Sequence, residues 1–248
     1  MEGFPYRLVL TVASRPGDPA LFRGSLRGIT VDAHDHLYAA GDSEVKVFGP
    51  DGALQRGWAT AGPAHVAAVA PDGRVFVGGS RQIEIFDRSG RRLDAWRDPQ
   101  RLGRVSAIGF ANGTVLAGDS HGRAIRRYDA GGRFLNDIGR DNRTGGFVIP
   151  NGVLDFAVDA GGIIHAANPG KHRIERYTVE GTLLGHVGRF GGPDPAGFSG
   201  CCNSRSPTVR WPPGARRRAC TCSSWSAMRS WSAASCTARA ARARSSAS

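Results

Sequence analysis

The 248-residue sequence lacks several features that would assign it to a familiar class. No apolar run is long enough to span a membrane. Residues 1–5 lack the basic and apolar regions of a signal peptide. We therefore expect a soluble, cytoplasmic protein, unless an upstream start supplies an export signal. Only two of the five cysteines, Cys201 and Cys202, precede residue 203, so no disulfide framework is predicted.

The sequence also lacks the common catalytic signatures. It contains no nucleophile motif, no dinucleotide fingerprint and no phosphate-binding loop. Two histidines, His121 and His172, are candidates for a general base on the loop-rich side of the predicted fold, and both are weak candidates. Whether the protein is an enzyme is therefore left open by the sequence.

A repeated pattern fills the first 202 residues. Each copy is a short strand that ends in an aromatic residue and is followed by a glycine turn. Consecutive aromatic residues are separated by 38, 42 and 49 residues, a spacing close to that of a β-propeller blade. The four copies of the strand and turn are residues 45–52, 83–90, 125–132 and 174–181.

Each copy contains four strand candidates bounded by Gly, Asp and Pro, and no convincing amphipathic helix appears before residue 203. A single four-stranded sheet cannot bury both of its faces, whereas blades around an axis bury them against each other. We therefore predict an all-β propeller of four-stranded blades. The repeated aromatic residues are predicted to pack between blades: Phe48, Phe86, Tyr128 and Tyr177.

The fourth copy, with Gly170-Lys171-His172-Arg173-Ile174 before Glu175-Arg176-Tyr177, resembles the NHL repeat. The resemblance covers residues 24–203 and is looser in the first three copies. It implies a propeller of the six-bladed type. Because about four complete blades are visible, we predict a truncated propeller. The NHL family includes binding scaffolds, RNA-binding domains and a few metal-dependent enzymes, so the resemblance implies a fold and leaves the activity open.

Residues 203–248 depart from the pattern. They contain nine arginines and no Asp, Glu, Lys, Leu or Ile. Without these arginines the net charge of +12 falls to +3, so the basic charge belongs to the tail. One interpretation is a nucleic-acid-binding arm. We favour a frameshifted or disordered tail, because this composition is typical of a GC-rich gene read out of frame. The predicted domains are thus residues 1–202, the propeller, and residues 203–248, the aberrant tail.

The turns after the second strands are predicted to share one face with the loops between blades, and long loops often carry function. Asp42 and Asp119 are predicted to occupy matching places there, with Asn168 at the corresponding place in the fourth copy. Their oxygens are candidate ligands of Ca²⁺ or Zn²⁺ at the propeller axis. The alternative is that they bond neighbouring loop amides, as Asp and Asn commonly do.

Two other clusters have both a functional and a structural interpretation. The adjacent thiols of Cys201 and Cys202 are candidate ligands of a soft metal, although a buried structural pair is favoured. His34-Asp35-His36 has the composition of a metal site. Its alignment with Asp72-Gly73-Arg74 instead favours a solvated hairpin.

We therefore predict a binding or scaffold module that takes a protein or a small molecule on its loop-rich face. The second hypothesis is a metal-dependent hydrolase or lyase. RNA binding is a weaker third hypothesis, since a charge of +3 on residues 1–202 gives little attraction for nucleic acid. No membrane partner is expected.

Overall fold

The computed structural model describes residues 11, 17–140, 145–190 and 197–198. Apart from one 3₁₀ turn, Pro169–Lys171, every regular element in these residues is a β-strand. Four sheets of four antiparallel strands form the blades of a β-propeller. The chain divides into two compact units, Met1–Ile108 and Gly109–Ser248. None of the described segments forms a helix long and apolar enough to cross a membrane.

The strands pair in sequence order within each blade. The first blade contains β1 (Leu26–Val31), β2 (Leu37–Gly41), β3 (Glu44–Phe48) and β4 (Leu54–Ala59). The second contains β5 (Val66–Val69), β6 (Val75–Gly78), β7 (Gln82–Phe86) and β8 (Arg92–Arg97). The third contains β9 (Val105–Ala111), β10 (Thr114–Asp119), β11 (Ala124–Tyr128) and β12 (Phe134–Ile138). The fourth contains β13 (Phe156–Val158), β14 (Ile164–Asn168), β15 (Arg173–Tyr177) and β16 (Leu183–Val187). A parallel pair follows, β17 (Arg189–Phe190) and β18 (Gly197–Phe198).

Tight turns join the strands at the predicted places. In the second blade, Gly73 sits in the β5–β6 turn at φ 86°, in the left-handed region that glycine enters without steric cost. Asp35 occupies the matching place in the β1–β2 turn at φ 59°. Asp is one of the few other residues that tolerate this region. The sequence 34–36 therefore lies on a hairpin turn, as its alignment predicted.

The first unit is held together by apolar contacts between its two blades. Val45 and Val47 of the first blade lie in one buried cluster with Val77 and Phe86 of the second. Trp58 contacts Phe86 with ring centroids 5.7 Å apart. The predicted role of Phe86 between blades is confirmed. Phe48, in contrast, packs with Ala20 and Phe22, which precede β1.

Side chains of the third and fourth blades interlock in the second unit. A Cβ on Gly109 would lie 2.7 Å from the Phe156 ring, so only glycine allows this close approach. The side chains of Arg127 and Asn136 both donate to the Val179 carbonyl oxygen, each at 3.3 Å. These hydrogen bonds tie β11 and β12 to the β15–β16 turn.

Candidate functional site

In the first unit, the turns after the second strands contact the segments that lead into each blade. The Ala64 N–H donates to the Asp42 carbonyl at 3.0 Å, and the Asp42 N–H donates to the Ser25 carbonyl at 3.2 Å. In the second blade, the Arg81 N–H donates to the Gly103 carbonyl at 2.6 Å. Backbone hydrogen bonds therefore place these turns and inter-blade segments on one face, which we call the loop face.

The same arrangement occurs in the second unit. The Phe147 N–H donates to the Arg123 carbonyl at 2.9 Å, and the Gly170 N–H donates to the Val148 carbonyl at 2.8 Å. Arg123 also donates from Nε to the Phe147 carbonyl at 2.7 Å. Here too the turns after the second strands, 120–123 and 169–172, are fixed to the segment that connects two blades.

A cleft of about 1110 Å³ opens on the loop face of the first unit. Its volume is slightly above the usual range for ligand pockets, roughly 300–1,000 Å³. It lies between the segment before β1 and the β2–β3 turn, and its lining carries charges of both signs. The charged and polar lining residues are Asp18, Arg23, Asp42, Ser43, Glu44 and Lys46.

Lys46 forms one wall of this cleft and is only 7% exposed. Its Nζ donates to the carbonyls of Pro19, at 2.7 Å, and Leu21, and lies 3.1 Å from Glu44 Oε1. The Phe22 ring centroid is 4.9 Å from the same nitrogen. The ammonium is therefore fully occupied in holding the segment before β1. Among the lining residues, Arg23 and Ser43 are exposed to solvent and are placed to meet a ligand.

Lys46 belongs to a series of buried charges that the sequence analysis did not single out. The second residue of the repeated strand motif is charged in all four blades, with signs that alternate along the chain. All four of these side chains are buried: Lys46, Glu84, Arg126 and Glu175. In the second blade, Glu84 Oε1 accepts from the Ala61 N–H at 2.9 Å. Lys46 and Glu84 thus have the same role, because each anchors the segment that leads into its own blade.

In the third blade, Arg126 lies between two carboxylates. Its Nη1 is 2.6 Å from Asp137 Oδ1, and its Nη2 is 3.2 Å from Asp119 Oδ2. Burial lowers the pKa of the guanidinium, but the hydrogen bonds and negative charges of Asp137 and Asp119 outweigh this effect and raise it. The group is therefore a permanent buried cation.

Glu175 is the corresponding charge in the fourth blade. Its Oε2 accepts from the Tyr177 hydroxyl at 2.6 Å, and its Oε1 accepts from Arg173 Nε at 2.8 Å. Burial raises the pKa of this carboxyl, but hydrogen bonds from Tyr177 and Arg173 hold it below the usual value. Burial and this carboxylate raise the pKa of the Tyr177 hydroxyl. Tyr177 therefore stays protonated and acts as a donor.

The predicted axial ligands are bound to protein groups. Asp42 accepts from the N–H groups of Gly24 and Ser25 at 2.8–3.1 Å, and these hydrogen bonds lower the pKa of its carboxyl. Asp119 accepts from the His121 N–H at 3.0 Å and pairs with Arg126. Asn168 Oδ1 accepts from the Val148 N–H at 3.0 Å. A cation at these oxygens would compete with these contacts for the oxygen lone pairs.

The strand registers correct the alignment of Asp42 with the other two residues. Asp119 pairs with Ala124 and Asn168 pairs with Arg173, as the last residues of β10 and β14. The residue in that place in the first blade is Gly41, which pairs with Glu44. Asp42 lies one residue further along because its turn is two residues shorter. Asp42 also belongs to the first unit, so its convergence with the others remains a prediction.

The remaining sequence candidates have separate locations. His121 is exposed on the turn after β10. His172 is half-buried after the 3₁₀ turn, in a left-handed conformation at φ 54°. Cys201, Cys202 and the tail after residue 203 lie outside the described residues, and their predicted roles stay predictions. On the opposite end of the first blade, the ligand atoms of Asp32, His34 and His36 lie within 4.8 Å of one another.

No protein-family model matches the sequence, and no curated protein matches it. Solved structures do match. A virginiamycin B lyase from Staphylococcus aureus has 16% identity and a TM-score of 0.54 over 70% of this chain and 57% of that chain. A streptogramin B lyase has 14% identity and a TM-score of 0.55 over 69% and 56%. The WD40 repeats of RRP9 have 14% identity and a TM-score of 0.51 over 66% and 53%. The chain thus spans little more than half the length of these proteins, and at such identities the likeness concerns the fold alone.

Proposed function

We propose that this chain is an NHL-like propeller module that binds an extended protein segment or a polar small molecule in the cleft of the first unit. This proposal rests on three properties of the cleft. It lies on the loop face, has the volume of a ligand pocket and presents both charge signs. The propeller fold supports the proposal, since propellers commonly serve as scaffolds for binding.

The walls of the cleft are held by contacts that do not depend on a ligand. Lys46 and Asp42 fix the segment before β1 from two sides, through its carbonyls and its N–H groups respectively. A site that is ordered before binding loses less conformational entropy on binding. Arg23 can then pair with an acidic group of the ligand, while Glu44, which is partly exposed, is available to a basic group.

Amide hydrogen exchange tests this location. Peptides selected by display against the whole chain would be bound to it at saturation, and protection would be mapped by segment. We expect the largest gain in protection at residues 17–25 and 42–44, with little change in the β7–β8 turn at residues 87–91. Protection confined to the β7–β8 turn or to the other end of the blades would contradict the proposed site.

The second candidate function is a metal-dependent lyase or hydrolase. It is favoured only by the shared fold of the two lyases, and its candidate residues within the second unit are Asp119, Asn168 and His172. A Ca²⁺ titration with a thermal-unfolding readout tests it, because a ligand that binds only the folded state raises the midpoint. A shift that disappears in Asp119→Asn and persists in Asp32→Asn would support this candidate. If millimolar Ca²⁺ does not shift the unfolding midpoint, the hypothesis of a calcium-dependent enzyme is ruled out.

A further inference from the structure

The β1–β2 turn carries three metal-ligating side chains on one side. Asp32, His34 and His36 alternate along the turn, and one ligand atom from each lies within 4.8 Å of the others. Asp35, between the two histidines, adopts the left-handed conformation that reverses the chain at this turn. The turn lies at the end of the blade opposite to the loop face, so this cluster is separate from the cleft.

The Asp32 carboxylate is held in place by the turn. Its Oδ1 accepts from the N–H groups of His34, at 2.8 Å, and His36, at 3.0 Å. Its Oδ2 lies 3.1 Å from His36 Nδ1. Burial raises the pKa of the Asp32 carboxyl, but the hydrogen bonds from the two N–H groups and the His36 ring outweigh burial and lower the pKa below its usual value. The carboxylate is therefore ionised at neutral pH. One oxygen is thus fixed by the backbone, and the other faces an imidazole nitrogen.

The separation of these two atoms suits a shared metal ion. Bonds of about 2.0–2.1 Å from Zn²⁺ to nitrogen and oxygen, at a tetrahedral angle, put two ligand atoms roughly 3.4 Å apart. Asp32 Oδ2 and His36 Nδ1 are 3.1 Å apart, so a small displacement admits the ion. The exposed ring of His34 stands beside that of His36, with centroids 6.2 Å apart, and one of its ring nitrogens lies within 4.8 Å of the ligand atoms of Asp32 and His36.

The corresponding turns of the other blades show which of these residues the turn itself requires. In the fourth blade, Asp159 likewise accepts from two turn N–H groups, at Gly161 and Ile163. The carboxylate is therefore part of the turn. The positions of the two histidines are taken there by Gly161 and Ile163, and in the second blade by Asp72 and Arg74. The turn does not require imidazoles, so their presence beside Asp32 calls for another explanation.

We propose that Asp32, His34 and His36 form a three-ligand site for a divalent transition metal, with Zn²⁺ as the best fit. Two imidazoles and one carboxylate are donors that suit Zn²⁺, whereas Ca²⁺ prefers six to eight oxygens. Three protein ligands leave the fourth tetrahedral position for water or for a donor atom of a partner. Because His34 is exposed, the ion reaches the site directly from solvent.

Calorimetric titration of the whole chain with Zn²⁺ tests the proposal by counting sites. The test variant is His34→Gln, since an exposed ring can be replaced without loss of folding. The matched control is His165→Gln, which alters the two-ligand pair of Asp159 and His165 in the fourth blade. We expect His34→Gln to remove one equivalent of bound Zn²⁺, or to weaken it more than about 100-fold, since even partners outside the ligand set cost 10–100-fold. His165→Gln should leave the count unchanged.

The cysteines can also bind zinc, and Co²⁺ distinguishes the two kinds of site. A Co²⁺ ion held by nitrogen and oxygen shows visible d–d bands without thiolate charge-transfer absorption. We expect such bands to be present in the parent protein and lost in His34→Gln. Equal Zn²⁺ stoichiometry and affinity in the parent and His34→Gln would overturn the proposal, as would a Co²⁺ spectrum that arises only from thiolate ligation.

Discussion

Replacing Arg126 by Met should destabilise the protein far more than a surface substitution of the same type. Arg126 is 4% exposed and its guanidinium contacts both Asp137 and Asp119, and Asp119 is completely buried. Met fills a similar volume but leaves the Asp119 carboxylate buried without its cation. Removing one partner of a buried pair costs about 3–5 kcal/mol. We expect a loss of this size in the free energy of unfolding.

Arg133→Met is the matched control within the same blade. Arg133 is also paired with an aspartate, Asp129 at 3.0 Å, but its side chain is 79% exposed. Such pairs contribute about 0–1 kcal/mol because water solvates both charges. Urea denaturation followed by tryptophan fluorescence measures both variants. Adding Asp119→Asn to Arg126→Met should restore part of the loss by removing the buried charge. Equal stabilities for Arg126→Met and Arg133→Met would refute the reasoning.

Three further predictions address packing, pH and the tail. Phe86→Ala should cost about 3–5 kcal/mol in urea denaturation, because it leaves a cavity between the first two blades, and a cost below 1 kcal/mol would contradict that role. Burial, with Arg104 and Arg27 nearby, lowers the pKa of His65 to about 4. The unfolded chain therefore binds this proton first, so stability should fall as the pH drops from about 6.5 toward 4, and His65→Gln should flatten that part of the profile. Limited proteolysis should remove residues 203–248 before it cuts β7, whereas equal protection of both would contradict the predicted domain boundary.

The strands could be predicted from the sequence because the repeat fixes their positions along the chain. The repeated strand ends at its predicted aromatic residue in every blade: β3 at Phe48, β7 at Phe86, β11 at Tyr128 and β15 at Tyr177. Apolar alternation and glycine turns are local signals, so they survive in a single sequence. The equivalence of Asp42 with Asp119 was wrong because turn length varies between blades, and only the pairing of strands reveals that one-residue offset.

The buried charges were missed for a different physical reason. A charged residue between two apolar residues of a strand normally marks a solvent-facing side of a sheet. In a propeller both faces of a blade are covered, so Lys46 and Glu84 point into the protein and bond the segments that enter their blades. The available signal was the presence of a charge at the same place in all four copies. The contacts that neutralise each charge come from loops, whose positions a single sequence does not predict.

The proposed binding site is tested most directly by a pair of serine substitutions at opposite ends of the blades. Ser43 is exposed at the mouth of the cleft, and Ser89 is exposed in the β7–β8 turn. The affinities of display-selected peptides for Ser43→Trp and Ser89→Trp would be measured by calorimetry. If the cleft binds the ligand, Ser43→Trp weakens binding at least tenfold, or about 1.4 kcal/mol, and Ser89→Trp leaves it within twofold. The reverse pattern would contradict the account.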